Sequence, residues 1–242
     1  LKKFMLIFYK LLFKDCKNVV VLNYSDSTYL TELGIVSINK INVIPGTGIN
    51  TEYLDGINNY DYKQNKYIDY IARAIPDKGF NIFLNTKIYL NKFNKDFVNK
   101  YPFRIIIPQS DIDIFSKQNI NFIKSLGIEI KPYISNQLDY FADTKAILFP
   151  TKYGEGLSRV VMESVYLGIP LLLSRNQGTE QILPFDYKYF IKSYNPSSIA
   201  EQLNELIKDE EYFERILFTQ KDKLKKMYSI TASIDEFCKL ID

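Results

Sequence analysis

PTKYGEGLSRVVMESVYLGIP, residues Pro150 to Pro170, is the stretch whose reading decides the fold. Pro150 closes an apolar run, a glycine-bearing loop follows, and helical spacing opens on Gly156. A helix start presents unpaired backbone N–H groups and the positive end of the macrodipole, so it favours a phosphate. Glu155 and Glu163 bracket the first two turns. From Gly156 to Glu163 the drift around a helix is only about 20° and the rise roughly 10 Å. Helical side chains lean toward the N-terminus, so Glu163 is expected to point back at whatever sits at the helix start. A carboxylate beside a phosphate repels it, but one sugar away it accepts two hydroxyl hydrogen bonds. That pattern suits a nucleotide sugar. The plainer reading is an amphipathic helix on a sheet, with Val160, Val161 and Val165 facing the core.

Outward from this stretch, short apolar runs alternate with amphipathic helical patterns. NVVVLN (Asn18 to Asn23) and INVIP (Ile41 to Pro45) read as strands, separated by a helix near Ser25 to Leu33. KYIDYIA leads to a helix near Lys78 to Asn94, and FRIII (Phe103 to Ile107) to one over Asp113 to Leu126. IEIKPYI precedes a short helix near Gln137 to Ala142, AILFP precedes the helix opening at Gly156, and LLLS and KYFI complete the strands. The end of the chain reads as helical. This alternation predicts βαβ units, a Rossmann-like parallel sheet with helices on both faces, and ligands at the carboxyl ends of the strands.

Composition narrows the function. The chain has 242 residues, enough for a sizeable core, and a net charge of +3, too small to imply nucleic-acid binding. Cys16 and Cys238 lack metal-ligand or CxxC spacing and fit a reduced, cytoplasmic protein. There is no histidine, which removes His-dependent triads and HExxH zinc sites. No segment reaches the ~18 apolar residues of a membrane span. The opening LKKFMLIFYKLLFK lacks a cleavage site and is interrupted by Lys10 and Lys14. It reads as a helix packed on a sheet, or alternatively as one lying on an anionic membrane surface. A first residue of Leu rather than Met fits a fragment.

A second cluster lies in IARAIPDKGFNIF (Ile71 to Phe83). Arg73 falls at a strand's carboxyl end and Lys78 at the next helix start, beside Gly79, where a cation opposes the dipole unless an anion is bound. Alone, two such cations are ordinary solvated surface. Asp111-Ile112-Asp113 imitates an Asp-x-Asp metal motif, but its place between strand and helix favours an N-cap, and no metal is expected. Asn23-Tyr24-Ser25 is a glycosylation sequon only in form.

The pattern P-T-x3-E-G-x6-E-x4-G-x-P, with Glu155 and Glu163, resembles the donor-site signature of family 4 glycosyltransferases, closest to the branch that builds capsule, O-antigen or lipid-linked glycans. Arg73, Lys78 and Gly79 are similar to that family's R-x4-K-G segment, and Gly46-Thr47-Gly48-Ile49-Asn50 to the turn opening its second domain. The resemblance implies a retaining enzyme with the GT-B fold, seen as residues 1–35 of an acceptor-side domain and 36–242 of the nucleotide-sugar-binding domain. Two positions depart: Pro108 stands where the family has glycine, and Gly178-Thr179-Glu180-Gln181 is one residue out of step with G-x-x-E.

By that resemblance Arg73, Lys78 and the N–H groups of Gly156, Leu157 and Ser158 would meet the diphosphate charge without a metal or other cofactor. Glu163 would hold ribose hydroxyls, Glu155 hydroxyls of the donor sugar, and backbone near Ile134 the base. The reaction implied is transfer from a nucleotide sugar to a glycan or polyprenyl-linked acceptor, in bacterial surface polysaccharide or glycoconjugate synthesis. The setting implied is the cytoplasm, with peripheral contact at the inner face of the membrane as an extension. A Rossmann-like domain needs about 100–150 residues, so residues 1–35 fall far short and a missing N-terminal domain is expected. The alternative is a truncated, non-catalytic nucleotide-sugar-binding module needing a partner domain. A GT-B epimerase is weaker, because a histidine-free chain lacks the added acid–base groups. The terminal helices from Pro196 either complete the core or present a partner surface.

Overall fold

The computed structural model describes residues 2–57, 64–133, 139–152, 154 and 156–241. Helix α1 (Lys2–Phe13), strand β1 (Val19–Val21), helix α2 (Tyr24–Glu32) and strand β2 (Ile41–Val43) form a small first unit. β1 and β2 pair in parallel, Val19 opposite Ile41, so the pairing spans residue 35. The buried cluster there is Val19, Ile35 and Val36, with Leu6 and Phe13 of α1 against it. The outward face of α1 leaves Phe4, Ile7, Phe8, Leu11 and Leu12 exposed.

A short helix α3 (Thr51–Asp55) opens the larger unit. Strand β3 (Tyr67–Ile71), helices α4 (Phe80–Phe93) and α5 (Lys95–Lys100), and strand β4 (Phe103–Ile107) follow. Helices α6 (Gln109–Ile114) and α7 (Lys117–Ser125) then lead to β5 (Ile128–Pro132) and β6 (Thr144–Phe149). Helix α8 (Arg159–Leu167), strand β7 (Leu171–Leu173) and helix α9 (Gln177–Ile182) complete the alternation. Helices α10 (Pro196–Lys208), α11 (Glu210–Tyr228) and α12 (Ile230–Cys238) close the chain.

The second sheet is wholly parallel, in the order β5-β4-β3-β6-β7. Every residue of β4 and β6 is buried, as expected for strands covered on both faces. α4 packs against α10, and α8 against α11 and α3. Crossovers from β3 run one way along the sheet and those from β6 the other, and right-handed connections then put α4 and α8 on opposite faces. This is the Rossmann-like α/β architecture the alternation implied. The strand order reverses between β3 and β6, and such switch points open a crevice at the carboxyl ends of the strands.

Three expectations change in detail. The helix expected over 113–126 is two: Ser116 starts α7 with a reciprocal capping box to Asn119. KYFI gives one bridge, Phe190 to Leu173, rather than a strand. The helix after β6 starts at Arg159, not Gly156, because Ser158 takes the N-cap position and accepts from the Val161 N–H.

At the other end of the sheet, Asp69 of β3 stands opposite Arg104 of β4, and both are fully buried. Arg104 donates from Nε and Nη2 to the two Asp69 oxygens at 2.8 and 2.7 Å, and from Nη1 to Asp143 at 2.7 Å. Thr144 Oγ1 donates to Asp69 at 2.5 Å. Burial works against the Arg104 charge, but the two aspartates outweigh it and hold the guanidinium above its usual pKa. A one-residue slip between β3 and β4 would part the Asp69–Arg104 pair, so the bridge fixes the register.

Candidate functional site

The two loops singled out in the sequence meet at the switch point. Tyr70, the penultimate residue of β3, is fully buried, and its hydroxyl donates to the Arg73 carbonyl at 2.6 Å, with the Lys78 carbonyl 3.3 Å away. That hydroxyl fastens both ends of the Arg73–Lys78 loop. A 3-10 turn over Pro76–Lys78 then delivers the chain to Gly79, at φ 75°. A Cβ at Gly79 would fall 2.1 Å from the Pro150 carbonyl oxygen, so only glycine lets the two loops touch. The Lys152 N–H donates to the Asp77 carbonyl at 2.7 Å and Thr151 Oγ1 to the same oxygen at 3.3 Å. The loops after β3 and β6 are therefore one backbone unit.

Arg73 is 62% exposed, and its guanidinium lies 3.7 Å from Asp111. Asp111 does not cap a helix. Pro108 holds the N-cap position of α6, while the buried Asp111 carboxylate accepts from the Ala74 N–H at 2.7 Å. Asp111 thus anchors the loop that carries Arg73, a role invisible in the sequence because the contact is nonlocal. Asp113, the other half of the imitation metal motif, accepts from Gln109 at 2.7 Å.

With the helix starting at Arg159, the first-turn amides of α8 belong to Arg159, Val160 and Val161 rather than to Gly156, Leu157 and Ser158. Val161 is taken by Ser158. Gly156 instead makes room for the first unit. A Cβ there would lie 3.2 Å from Leu22, at the end of β1, so that unit abuts this loop. Leu157 packs on the main core. Glu155 and Ile134 lie outside the described residues.

Glu163 is 2% exposed, in the second turn of α8. Its Oε1 accepts from Arg159 Nη2 at 3.3 Å, and its Oε2 has no partner among the described residues. Burial pushes the carboxyl up from its ordinary pKa, and the Arg159 guanidinium pulls it part of the way back. A buried acceptor without a donor costs about 1–3 kcal/mol, a cost removed when a ligand hydroxyl donates to it.

The out-of-step G-x-x-E position also resolves. Glu180 pairs with Arg175 at 2.7 Å on the surface. Gln181 accepts from the Tyr24 N–H at 3.2 Å, and its carbonyl lies 3.4 Å from both Lys223 Nζ and the Tyr228 hydroxyl. Gln181 ties the first unit to the second.

Fold and site together define an α/β protein with two joined loops at the switch point of a parallel sheet and, on the helix that follows, a buried carboxylate with one oxygen unpartnered among the described residues. Residues 116–222 match the family model described as Glycosyl transferases group 1, and the fold matches that of GT-B glycosyltransferases. No curated protein matches the sequence. A glycosyltransferase from Rickettsia africae is similar in structure, with a TM-score of 0.77 at 15% identity over 96% of this chain and 65% of that one. Anabaena HepE in complex with UDP gives 0.72 at 13% identity over 93% and 63%. Sucrose-phosphate synthase from Thermosynechococcus elongatus gives 0.68 at 13% over 99% and 61%. The chain therefore spans 61–65% of the length of these proteins. At such identities the likeness is one of fold.

Proposed function

We propose that this chain is the nucleotide-sugar-binding part of a retaining, family 4-like glycosyltransferase. It would transfer a sugar to a glycan or lipid-linked acceptor in bacterial surface polysaccharide or glycoconjugate synthesis, on the cytoplasmic side of the membrane. The observation that carries the reading is Glu163, a buried carboxylate with one oxygen unpartnered among the described residues, on the helix that follows β6 at the switch point. The HepE complex with UDP, on the same fold, supports the ligand class.

In this reading Arg73 and Lys78 face the diphosphate. As the glycosidic bond breaks, negative charge grows on the departing nucleoside diphosphate. Fixed cations and first-turn amides of α8 stabilise it where it develops, so the protein itself supplies the charge and no metal is invoked. Glu163 accepts from ribose hydroxyls and Glu155 from the donor sugar. Base contacts come from backbone near Ile134.

A second reading rests on the first unit. Its two strands and the small buried cluster of Val19, Ile35 and Val36 are a small core, and one face of α1 is exposed. We propose that this unit, residues 1–35 together with β2, belongs to an acceptor-side domain completed by further polypeptide, and that this chain by itself binds donor without transferring it. Thermal-shift titration with UDP, GDP and ADP, with and without Glu163→Ala, tests the donor site. Stabilisation by one nucleotide that is lost in the variant is expected; equal stabilisation in both overturns the assignment. Sugar transfer by this chain alone would overturn the second reading.

A further inference from the structure

Arg159 occupies a position that local energetics disfavour. It is the first residue of α8, where a cation opposes the positive end of the helix dipole. Its partner Glu163 lies four residues later, and a basic residue ahead of the acidic one is the poorer orientation for such a pair. The ion pair nevertheless forms, between a half-exposed guanidinium and a carboxylate that is 3% exposed. It engages one carboxylate oxygen and leaves the other open.

Several charges on the elements packed against α8 are committed elsewhere. Asp55 of α3 takes Lys221 and Lys225 of α11 and the Tyr166 hydroxyl. Asp222 of α11 acts on Tyr166 as well. Lys223 of α11 reaches the Gln181 carbonyl, Glu180 of α9 pairs with Arg175, and β7 carries only leucines. Among the described residues, Arg159 is the charge that acts on Glu163.

We propose that Arg159 is a positioning residue for donor binding: it holds one oxygen of the Glu163 carboxylate and turns the unpartnered one toward the ligand hydroxyls. The inference rests on the donor-site reading and adds to it the group that makes a buried acid usable. A carboxylate accepts through both oxygens, whereas a protonated acid has one of them occupied by its own hydrogen. Two hydroxyls are then no longer matched. Without Arg159, burial acts on Glu163 unopposed, and nucleotide binding weakens as pH falls.

The test uses the full chain and whichever of UDP, GDP and ADP stabilises it. Calorimetric titration between pH 6 and pH 8 compares wild type with Arg159→Met, Arg159→Gln and Arg159→Lys. Wild type is expected to bind with a nearly flat profile. Arg159→Met and Arg159→Gln are expected to bind more weakly at pH 6 than at pH 8, by up to about tenfold, the direction in which burial moves the carboxyl, and Arg159→Lys to restore most of the flatness. Ligand-free unfolding of Arg159→Met over the same range, alone and combined with Glu163→Gln, gives an independent readout. Its destabilisation should grow with pH and lose that pH dependence in the combined variant. A flat profile in Arg159→Met and Arg159→Gln, while Glu163→Ala still binds far more weakly than wild type, overturns this inference alone. Retained binding in Glu163→Ala, or no binding of any of the three nucleotides by wild type, overturns the donor-site reading and this inference with it.

Discussion

Asp69 and Glu163 are both buried carboxylates paired to an arginine, yet one is finished and the other is not. Asp69 receives Arg104 on both oxygens and Thr144 on one, and Arg104 is itself held by Asp143. Glu163 has a single contact at 3.3 Å and an idle oxygen among the described residues. The finished pair lies within the sheet between neighbouring strands; the unfinished one stands on a helix at the carboxyl edge, where α/β sheets bind ligands. A buried charge with all of its partners is part of the fold. A buried charge missing one can still accept from a ligand hydroxyl, as the proposed donor site requires.

The largest expected effect is at the finished pair. Arg104→Met leaves Asp69 buried without its cation and should destabilise the chain by about 3–5 kcal/mol, read from urea unfolding. A loss below about 1 kcal/mol would mean the network is not structural. Gly79→Ala comes next. The left-handed backbone alone costs about 1–2 kcal/mol, and the clash with Pro150 forces the two loops apart, so nucleotide binding should fall together with stability. Stability lost with binding intact would separate the loop junction from the site.

At Glu163 the sign depends on pH. Its folded pKa is raised, so the associated stability is full below the unfolded carboxylate pKa and is lost as pH rises through the folded value. Glu163→Gln removes that dependence. Wild type should therefore lose stability relative to Glu163→Gln between acid and neutral pH, and curves that stay parallel would show Glu163 to be an ordinary exposed-type acid. The smallest structural effect belongs to Arg73, which is 62% exposed. Arg73→Ala should change stability within about 0.5 kcal/mol while weakening nucleoside diphosphate binding clearly more than binding of the free nucleoside. Equal weakening of both would place Arg73 away from the phosphates.

The sheet was legible because strands covered on both faces are nearly continuous apolar runs, as in FRIII and AILF. Arg104 shows the limit of that signal: a charge inside an apolar strand does not announce its partner 35 residues away. Glu163 was legible in the Glu-x7-Glu pattern, but the helical spacing from Gly156 that supported it does not hold, because the helix starts at Arg159. Its free oxygen and its pairing with Arg159 were less so, although an i,i+4 pair is a local pattern that sequence can offer. The helix start was misplaced by three residues because Gly156 drew the reading away from Ser158, a better N-cap. Asp111 and Leu22 were out of reach, since each acts on a loop remote in sequence.

The most direct test removes the hydroxyls instead of the carboxylate. Calorimetry would compare UDP with 2′,3′-dideoxy-UDP, or the corresponding pair for another preferred base, on wild type and Glu163→Ala. If Glu163 Oε2 is held open for ribose, wild type loses at least about tenfold in affinity, roughly 1.4 kcal/mol, when the hydroxyls go. Glu163→Ala, already weak, should lose little more. An equal loss in both proteins would mean the hydroxyls are bound elsewhere, and the unfinished carboxylate would not be the donor site.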